Sequence, residues 1–224
     1  GEQIILHVDN TYLTKGFENG RGNTSIINNG TFLNNGGVLP TMGYNENYEL
    51  SDKNTRKKYE LEPKERMPKL AREITELHNN NYISNGQSDY INVETIISTS
   101  KDQTAIAPGS AFMSGDYEIA KRKWNGIDIE VYYDEKHPEN VEMMLDAVER
   151  SLTYYTENFG PYFHKQCRII EFPRYASFAQ AFPGTMPYSE AIGFIINLED
   201  ETGNNIVDAV IAHEMAHQWW AHQV

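Results

Sequence analysis

Two histidines and a glutamate near the end of the sequence form the pattern H-E-x-x-H: His213, Glu214 and His217. In a helix of 3.6 residues per turn, residues four apart lie on the same face, so both imidazoles can reach one metal ion. This spacing is a zinc-site signature. Glu214 would then lie beside the ion, where it can take a proton from a zinc-bound water and pass it to a leaving group.

The residues around this motif are apolar, which predicts a helix packed against the rest of the protein. Unpaired imidazoles and a carboxylate are costly in such a place, and a metal ion removes that cost. The alternative is that the three residues fall at this spacing by chance on a surface helix. A catalytic zinc needs three protein ligands. No local candidate follows His217, because His222 lies off the ligand face of the helix.

The strand patterns that must position this helix begin after about residue 121. Apolar and polar residues alternate over 127–133 and again over 192–198, and residues 167–172 form a short apolar run, so we predict three strands. An aromatic loop is predicted for 175–187. Four aromatic residues in and before this loop could line a pocket, although we favour a place in the core: Phe172, Tyr175, Phe178 and Phe182.

Helical spacing occurs in two places among these strands. Apolar residues recur at three- and four-residue steps from Val141 to Tyr155, and Gly160 with Pro161 ends this predicted helix. Asn205 can cap the final helix, with Asp208 near its positive end. The order strand, helix, strand, strand, helix predicts a mixed α/β unit.

The first hundred residues have the texture of an antiparallel β domain. Short apolar stretches at 4–8 and 93–97 are separated by Asn- and Gly-rich turns. A charged segment, 52–72, is predicted to leave the sheet, with at most a short helix. That helix would carry Leu70, Ile74 and Leu77.

Composition limits the classes of partner. The chain has 224 residues, of which 39% are hydrophobic, enough for packed cores. Its formal net charge of −13 opposes binding to polyanions, so we expect no nucleic-acid partner. No run approaches the ~20 apolar residues that span a bilayer, so we expect the chain itself to be soluble. The single cysteine, Cys167, excludes an internal disulfide and is expected to be a buried structural thiol.

Two motifs together resemble one family. Residues 210–220, V-I-A-H-E-M-A-H-Q-W-W, are similar to the V-x-A-H-E-x-A-H-Q-W helix of the aminopeptidase-N-like gluzincins, which are zinc aminopeptidases. Residues 187–194, P-Y-S-E-A-I-G-F, resemble the family's G-A-M-E-N-W-G-L strand, with Glu190 and Gly193 matching. The other positions of that strand depart from the family, which alters the groove beside the first substrate residue.

The resemblance implies a fold, a ligand set and a substrate site. The fold class is α+β: residues 1–118 would belong to an N-terminal β-sandwich-like domain, and residues 119–224 to the first half of a thermolysin-like zinc peptidase domain. Zn²⁺ would be held by His213, His217 and a glutamate on a later helix. Glu214 would be the catalytic base, and Glu190 would bind the α-amino group of a peptide substrate.

Further motifs resemble a bacterial branch in which this peptidase follows an ABC-type permease in one polypeptide. They occur at 29–32, 42–45 and 174–180. The resemblance therefore implies that the parent protein is associated with the bacterial membrane. Without the third ligand we expect the 224-residue chain to bind zinc weakly, to catalyse little and to self-associate through its uncovered apolar face.

Three functions remain open at this point. The first is a zinc aminopeptidase. The second is an extramembrane peptide-sensing or interaction domain of a transporter with little or no peptidase activity, which the departures around Glu190 suggest. The third is a zinc endopeptidase, which would cleave peptides whose amino terminus is blocked.

Overall fold

Helices and strands are distributed over two separate units of the chain. The computed structural model describes residues 5–14, 25–27, 30–39, 49–64, 94–109, 111–174, 176–198 and 205–220. One unit comprises Gly1–Pro40 with Thr95–Val224, and the other comprises Thr41–Glu94. The predicted domain boundary after residue 118 stays a prediction, although the two sheets of the larger unit do part between residues 115 and 118.

The first sheet of the larger unit is antiparallel. It contains four short strands in the order β1-β2-β4-β3, and β2 leads into a single helical turn, α1 at Asn35–Val38. The strands are β1 at Ile26–Ile27, β2 at Gly30–Asn34, β3 at Thr104–Ile106 and β4 at Ala111–Gly115. An antiparallel sheet in the N-terminal half agrees with the prediction from its turn-rich sequence.

The second sheet is mixed and has the order β5-β6-β7-β8. Strands β5 and β6 are antiparallel, whereas β6, β7 and β8 run parallel to one another. The strands are β5 at Glu118–Trp124, β6 at Ile127–Tyr133, β7 at Gln166–Phe172 and β8 at Thr185–Ser189. The predictions for β6 and β7 are therefore confirmed.

Strand β5 was not predicted, although the sequence carries a local signal for it. Asn125 and Gly126 join β5 to β6 with φ values of 46° and 86°. Two central residues with positive φ are the mark of a type I′ hairpin turn, for which Asn-Gly is the preferred pair. The Asn-Gly pair before Ile127 thus indicates a hairpin.

The helix that follows β6 is α3, Val141–Phe159. Its buried face contains Met144, Leu145, Val148 and Leu152 at the spacing that predicted it. Gly160 ends it with a φ of 111°, a conformation that other residues rarely adopt. Helix α3 connects the parallel strands β6 and β7 and so covers one face of the sheet.

The last helix is α4, Ile206–Ala216. As predicted, Asn205 caps it: its side-chain oxygen accepts hydrogen bonds from the N–H groups of Val207 and Asp208. Asp208 lies in the first turn and forms an ion pair with Arg150 of α3. Tyr155 of α3 donates a hydrogen bond to the carbonyl of Ala212, at 3.0 Å. The two helices are therefore fastened together at two points.

Both faces of the second sheet are covered. On one face, Ile129, Val131 and Ile169 form a core with apolar residues of α3 and α4. On the other face, Ile170 and Phe172 form a second core with residues of the first sheet. Alternate residues of β6 and β7 thus point into different cores, as the two-residue period of a strand requires.

The predicted strand at 192–198 is wrong. Residues 190–195 form turns and a bend, in which the backbone carbonyl of Glu190 accepts hydrogen bonds from the N–H groups of Phe194 and Ile195. The side chain of Asn140 donates to the carbonyls of Gly193 and Ile196, at 2.7 and 3.0 Å. One buried amide therefore replaces the neighbouring strand that these carbonyls would otherwise need.

The third parallel strand of the sheet is β8, which lies earlier in the sequence than the strand predicted at 192–198. This strand occupies the end of the segment that was predicted to be an aromatic loop. Phe172 and Phe182 lie in the core and Phe178 packs against it, as favoured above, whereas Tyr175 lies outside the described residues. Cys167 is buried, as predicted.

Two strand-like patterns in the N-terminal half are also not strands. Residues 5–8 and 94–97 have no regular structure, and Ile5 and Ile96 are exposed to 71% and 91%. A short apolar run therefore does not form a strand without a partner that pairs with it. The rest of these two runs, 4 and 93, falls among residues that the structure does not describe.

The smaller unit is described over residues 49–64 and at Glu94. It contains a short helix, α2 at Lys53–Lys58, where the charged excursion was predicted. Arg56 is buried, pairs with Glu49 at 2.9 Å and donates to the carbonyls of Leu50 and Glu62. The predicted helical residues Leu70, Ile74 and Leu77 lie outside the described part of the chain.

The observed fold class is α+β with an antiparallel sheet, in agreement with the coarser part of the prediction. Within the described ranges, no helix combines the length and the apolar character needed to cross a bilayer.

Candidate zinc site

His213 and His217 lie next to each other at the end of α4. Their ring centroids are 4.9 Å apart and the rings are nearly perpendicular, at 89°. His213 is exposed and His217 is half-buried, so the pair faces outward from the helix. The H-E-x-x-H spacing therefore brings two imidazoles together where an ion can reach both.

The hydrogen bond of His217 determines which of its nitrogens can bind a metal. Its Nδ1 atom lies 3.3 Å from the carbonyl oxygen of Trp220. A carbonyl can only accept, so Nδ1 carries the proton in this contact. Nε2 then keeps its lone pair, the arrangement that a metal-binding histidine needs.

Glu214 follows His213 in the same turn and is buried, with 7% of its surface exposed. Burial raises the pKa of Glu214, while the charges of His213 and His217 and the N–H of Ala181 oppose that rise. A buried carboxylate beside two imidazoles, with its pKa raised, is suited to accept a proton as a general base.

A tyrosine that was not predicted lies close to Glu214. Tyr188 of β8 is fully buried, and its hydroxyl has no hydrogen-bond partner among the described residues. Burial raises the pKa of Tyr188, and the charge of Glu214 raises it further. The Tyr188 ring packs edge-on against Phe194, a contact that joins β8 to the turn after it.

The end of α4 is held by buried polar contacts. Gln218 is fully buried; it accepts from the N–H of Gly184 at 2.8 Å and donates to the carbonyl of Phe182 at 3.0 Å. Trp219 donates to the carbonyl of Gly160 at 3.0 Å. These contacts fasten the turn after His217 to β8 and to the end of α3, so they hold the two histidines in place.

The third ligand is not among the groups that the structure brings together here. In the described part of the chain, three metal-binding side chains meet only at His137, Glu171 and Glu190. His213 and His217 have no third donor beside them within these ranges. His222, which the helical spacing places off the ligand face, is outside them. The two histidines fit a zinc ion in donor chemistry but supply two of the three protein ligands that a catalytic zinc requires.

Glu190 lies directly after β8. Its carboxylate accepts a hydrogen bond from the N–H of Arg174 at 2.9 Å and approaches His137 and Glu171. The predicted substrate-binding residue is therefore grouped with a histidine and a second glutamate rather than with the histidines of α4. The prediction that Glu190 binds an amino group remains a prediction.

Sequence reasoning missed His137 and Glu171. Nδ1 of His137 is 2.5 Å from Oε1 of Glu171, whose other oxygen accepts from the N–H of Asp134 at 2.6 Å. Burial raises the pKa of Glu171 to about 7. Burial alone would lower the pKa of His137, but its contact with Glu171 raises it overall. A signal existed, since His137 shortly follows the predicted strand at 127–133 and Glu171 lies at the end of the predicted strand at 167–172.

A large groove lies beside this second group. It has a volume of about 730 Å³, and His137, Asn140 and residues 194–198 contribute to its walls. None of His213, Glu214 and His217 lines it. The chemistry of the H-E-x-x-H pattern is the stronger guide to a reactive centre, because groove volume alone does not identify one.

Neither a protein-family model nor a curated protein matches this sequence.

Proposed function

We propose that this chain contributes two zinc ligands and the catalytic base to a zinc aminopeptidase with a thermolysin-like catalytic domain. The observation that supports this proposal is the pair of adjacent imidazoles, whose ring centroids are 4.9 Å apart, with a buried carboxylate between them in sequence. The third ligand is proposed to be a glutamate outside the described residues, as in the family that the sequence resembles.

Each residue has a definite task in this proposal. When bound, a zinc ion would polarise a peptide carbonyl and acidify a water molecule. Glu214 takes the proton of the attacking water and gives it to the leaving amine. Glu190 attracts the cationic amino terminus of the peptide, since a carboxylate pairs well with an ammonium group.

The variant Glu214→Gln tests this proposal. The amide cannot act as a base, so the variant is expected to bind Zn²⁺ as the unaltered chain does and to lose at least about 100-fold in peptidase rate, the usual contribution of a general base. Zinc stoichiometry and the turnover of aminoacyl reporter peptides are the measurements, made in the protein that includes the third ligand.

A matched control is Glu157→Gln, which alters an exposed carboxylate of α3. It should change neither zinc binding nor turnover. Unchanged turnover in the Glu214→Gln protein would rule out the assigned base. Cleavage of amino-blocked peptides at the same rate as free peptides would instead favour an endopeptidase and count against Glu190 as an amine anchor.

A second function is favoured by one specific observation. The donors in the described residues do not complete a metal site around His213 and His217, and Glu190 is engaged by other groups. A peptide-sensing or interaction domain of a membrane transporter would need neither hydrolysis nor a complete zinc site. Peptide binding without cleavage, in the presence of Zn²⁺, would support this second function.

A further inference from the structure

The group of His137, Glu171 and Glu190 lies where a parallel sheet presents its ligand-binding edge. His137 follows β6, Glu171 is the next-to-last residue of β7, and Glu190 directly follows β8. These three strands are parallel, so their carboxyl ends lie at one edge of the sheet. Ligands of open α/β sheets bind outside the carboxyl ends of the strands.

The donor atoms of this group already lie near one another. One nitrogen of His137 and one carboxylate oxygen from each glutamate are all within 4.8 Å. Donors around a first-row metal ion lie about 2.0–2.2 Å from it and hence roughly 3 Å apart. For all three donors to surround one ion, the 2.5 Å contact of His137 with Glu171 must open to about this spacing.

Acidic side chains surround this point. A small cavity of about 10 Å³ adjoins Glu171 and Glu190, and its walls contain four carboxylates and no Lys or Arg. The four are Asp116, Asp134, Glu171 and Glu190. The volume is about that of one water-sized probe. Since Glu171 is only 4% exposed, water screens the repulsion between these carboxylates poorly, and a bound cation would relieve that repulsion.

We propose that His137, Glu171 and Glu190 bind one divalent transition-metal ion, of the class of Mn²⁺ or Zn²⁺, at a second site distinct from the H-E-x-x-H histidines. An imidazole with two carboxylates is a donor set for such ions, whereas Ca²⁺ and Mg²⁺ prefer oxygen alone. Two carboxylates and one neutral imidazole also balance the charge of the ion.

The groove beside the group supplies access. His137 contributes to the wall of the 730 Å³ groove and to the donor group, so an ion can enter from solvent along this side. Water from the groove can complete the coordination. The N–H groups of Asp134 and Arg174 hold the two carboxylates by hydrogen bonds of 2.6 and 2.9 Å, the kind of outer support that tunes a metal ligand.

This second site is independent of zinc at α4, although an ion there would occupy the Glu190 carboxylate that the proposed peptidase uses for its substrate. A test therefore begins from the double variant His213→Ala, His217→Ala, which removes the H-E-x-x-H site. Mn²⁺ binding is followed by electron paramagnetic resonance and Zn²⁺ binding by calorimetry. One ion per chain should remain in this background.

Ligand variants are then added to the double variant. Glu171→Gln and Glu190→Gln should each weaken Mn²⁺ binding by at least about 10-fold. The control is Asp116→Asn, an exposed carboxylate at the same cavity that is not among the three donors; it should weaken binding far less. Circular dichroism checks that each variant is folded. If Glu171→Gln does not fold, the Mn²⁺ affinity of Glu190→Gln alone tests the second site.

Two results would overturn the second site. One is the absence of any bound ion in the double variant, and the other is an equal loss of affinity in Asp116→Asn and Glu190→Gln. Neither result bears on peptidase activity, which is measured with the H-E-x-x-H histidines present.

Discussion

At residue 193 the chain requires a glycine because of a single ring. A Cβ atom there would lie 2.3 Å from Cε1 of Tyr188, whose side chain is fully buried against Phe194. The match of Gly193 to the resembled family thus has a physical reason in this chain. The close packing of the Tyr188 ring against Phe194 and the Gly193 backbone holds Tyr188 in place beside Glu214.

We expect Gly193→Ala to lower the free energy of unfolding by about 1–3 kcal/mol, the usual cost of overpacking. Urea unfolding followed by circular dichroism measures this. Gly37→Ala is the control, since a Cβ at residue 37 would meet no atom within 4 Å. Equal stability of the Gly193→Ala and unaltered proteins would show that the Tyr188 ring can move aside.

At the scale of elements, Asn140 substitutes for a strand. Its buried amide donates to carbonyls of the turn after β8, and it also directly precedes α3. One side chain thus joins the start of a helix to the segment that follows the parallel strands. The turn carries Gly193, so Asn140 helps to set the position of Glu190 as well.

The variant Asn140→Asp keeps the shape of this side chain but replaces the donor by a carboxylate. Two or more carbonyls would lose their partner and face a negative charge, so we expect a loss of about 2 kcal/mol or more in the free energy of unfolding. Asn158→Asp is the control, because Asn158 is exposed and donates to one carbonyl within α3. A loss below that of the control would disprove this role of Asn140.

At the scale of the whole larger unit, β7 joins two cores. Ile169 points into the core with α3 and α4, and Phe172 points into the core with the first sheet. The ring centroid of Phe172 lies 4.9 Å from that of Phe32, on β2 of the other sheet. Loss of packing in one core should therefore also destabilise the other core.

Phe172→Ala is expected to lower the free energy of unfolding by about 3–5 kcal/mol. Unfolding should remain a single transition when followed by tryptophan fluorescence, which reports the helix side through Trp219. Phe163→Ala is the control, since Phe163 is 78% exposed. Separate transitions for the two cores would contradict the shared role of β7.

Periodicity in the sequence was sufficient to predict the helices and strands that bury one continuous face. Helix α3, the cap of α4 and strands β6 and β7 follow from it, because apolar spacing and a capping side chain act within one element. The alternating pattern at 192–198 led to a wrong prediction of a strand because alternation of apolar residues indicates only which residues are buried. It does not report what satisfies the backbone, and here a distant asparagine does so.

By itself the sequence determined that two imidazoles meet on one face of the last helix, because helical spacing is a local property of the chain. Only the tertiary structure decided which groups accompany Glu190, since His137, Glu171 and Glu190 lie at or just after the ends of three strands that are adjacent only in the folded sheet. Residue spacing along the chain does not indicate which strands are neighbours in the sheet. The parallel order of β6, β7 and β8 alone brings these side chains to one edge.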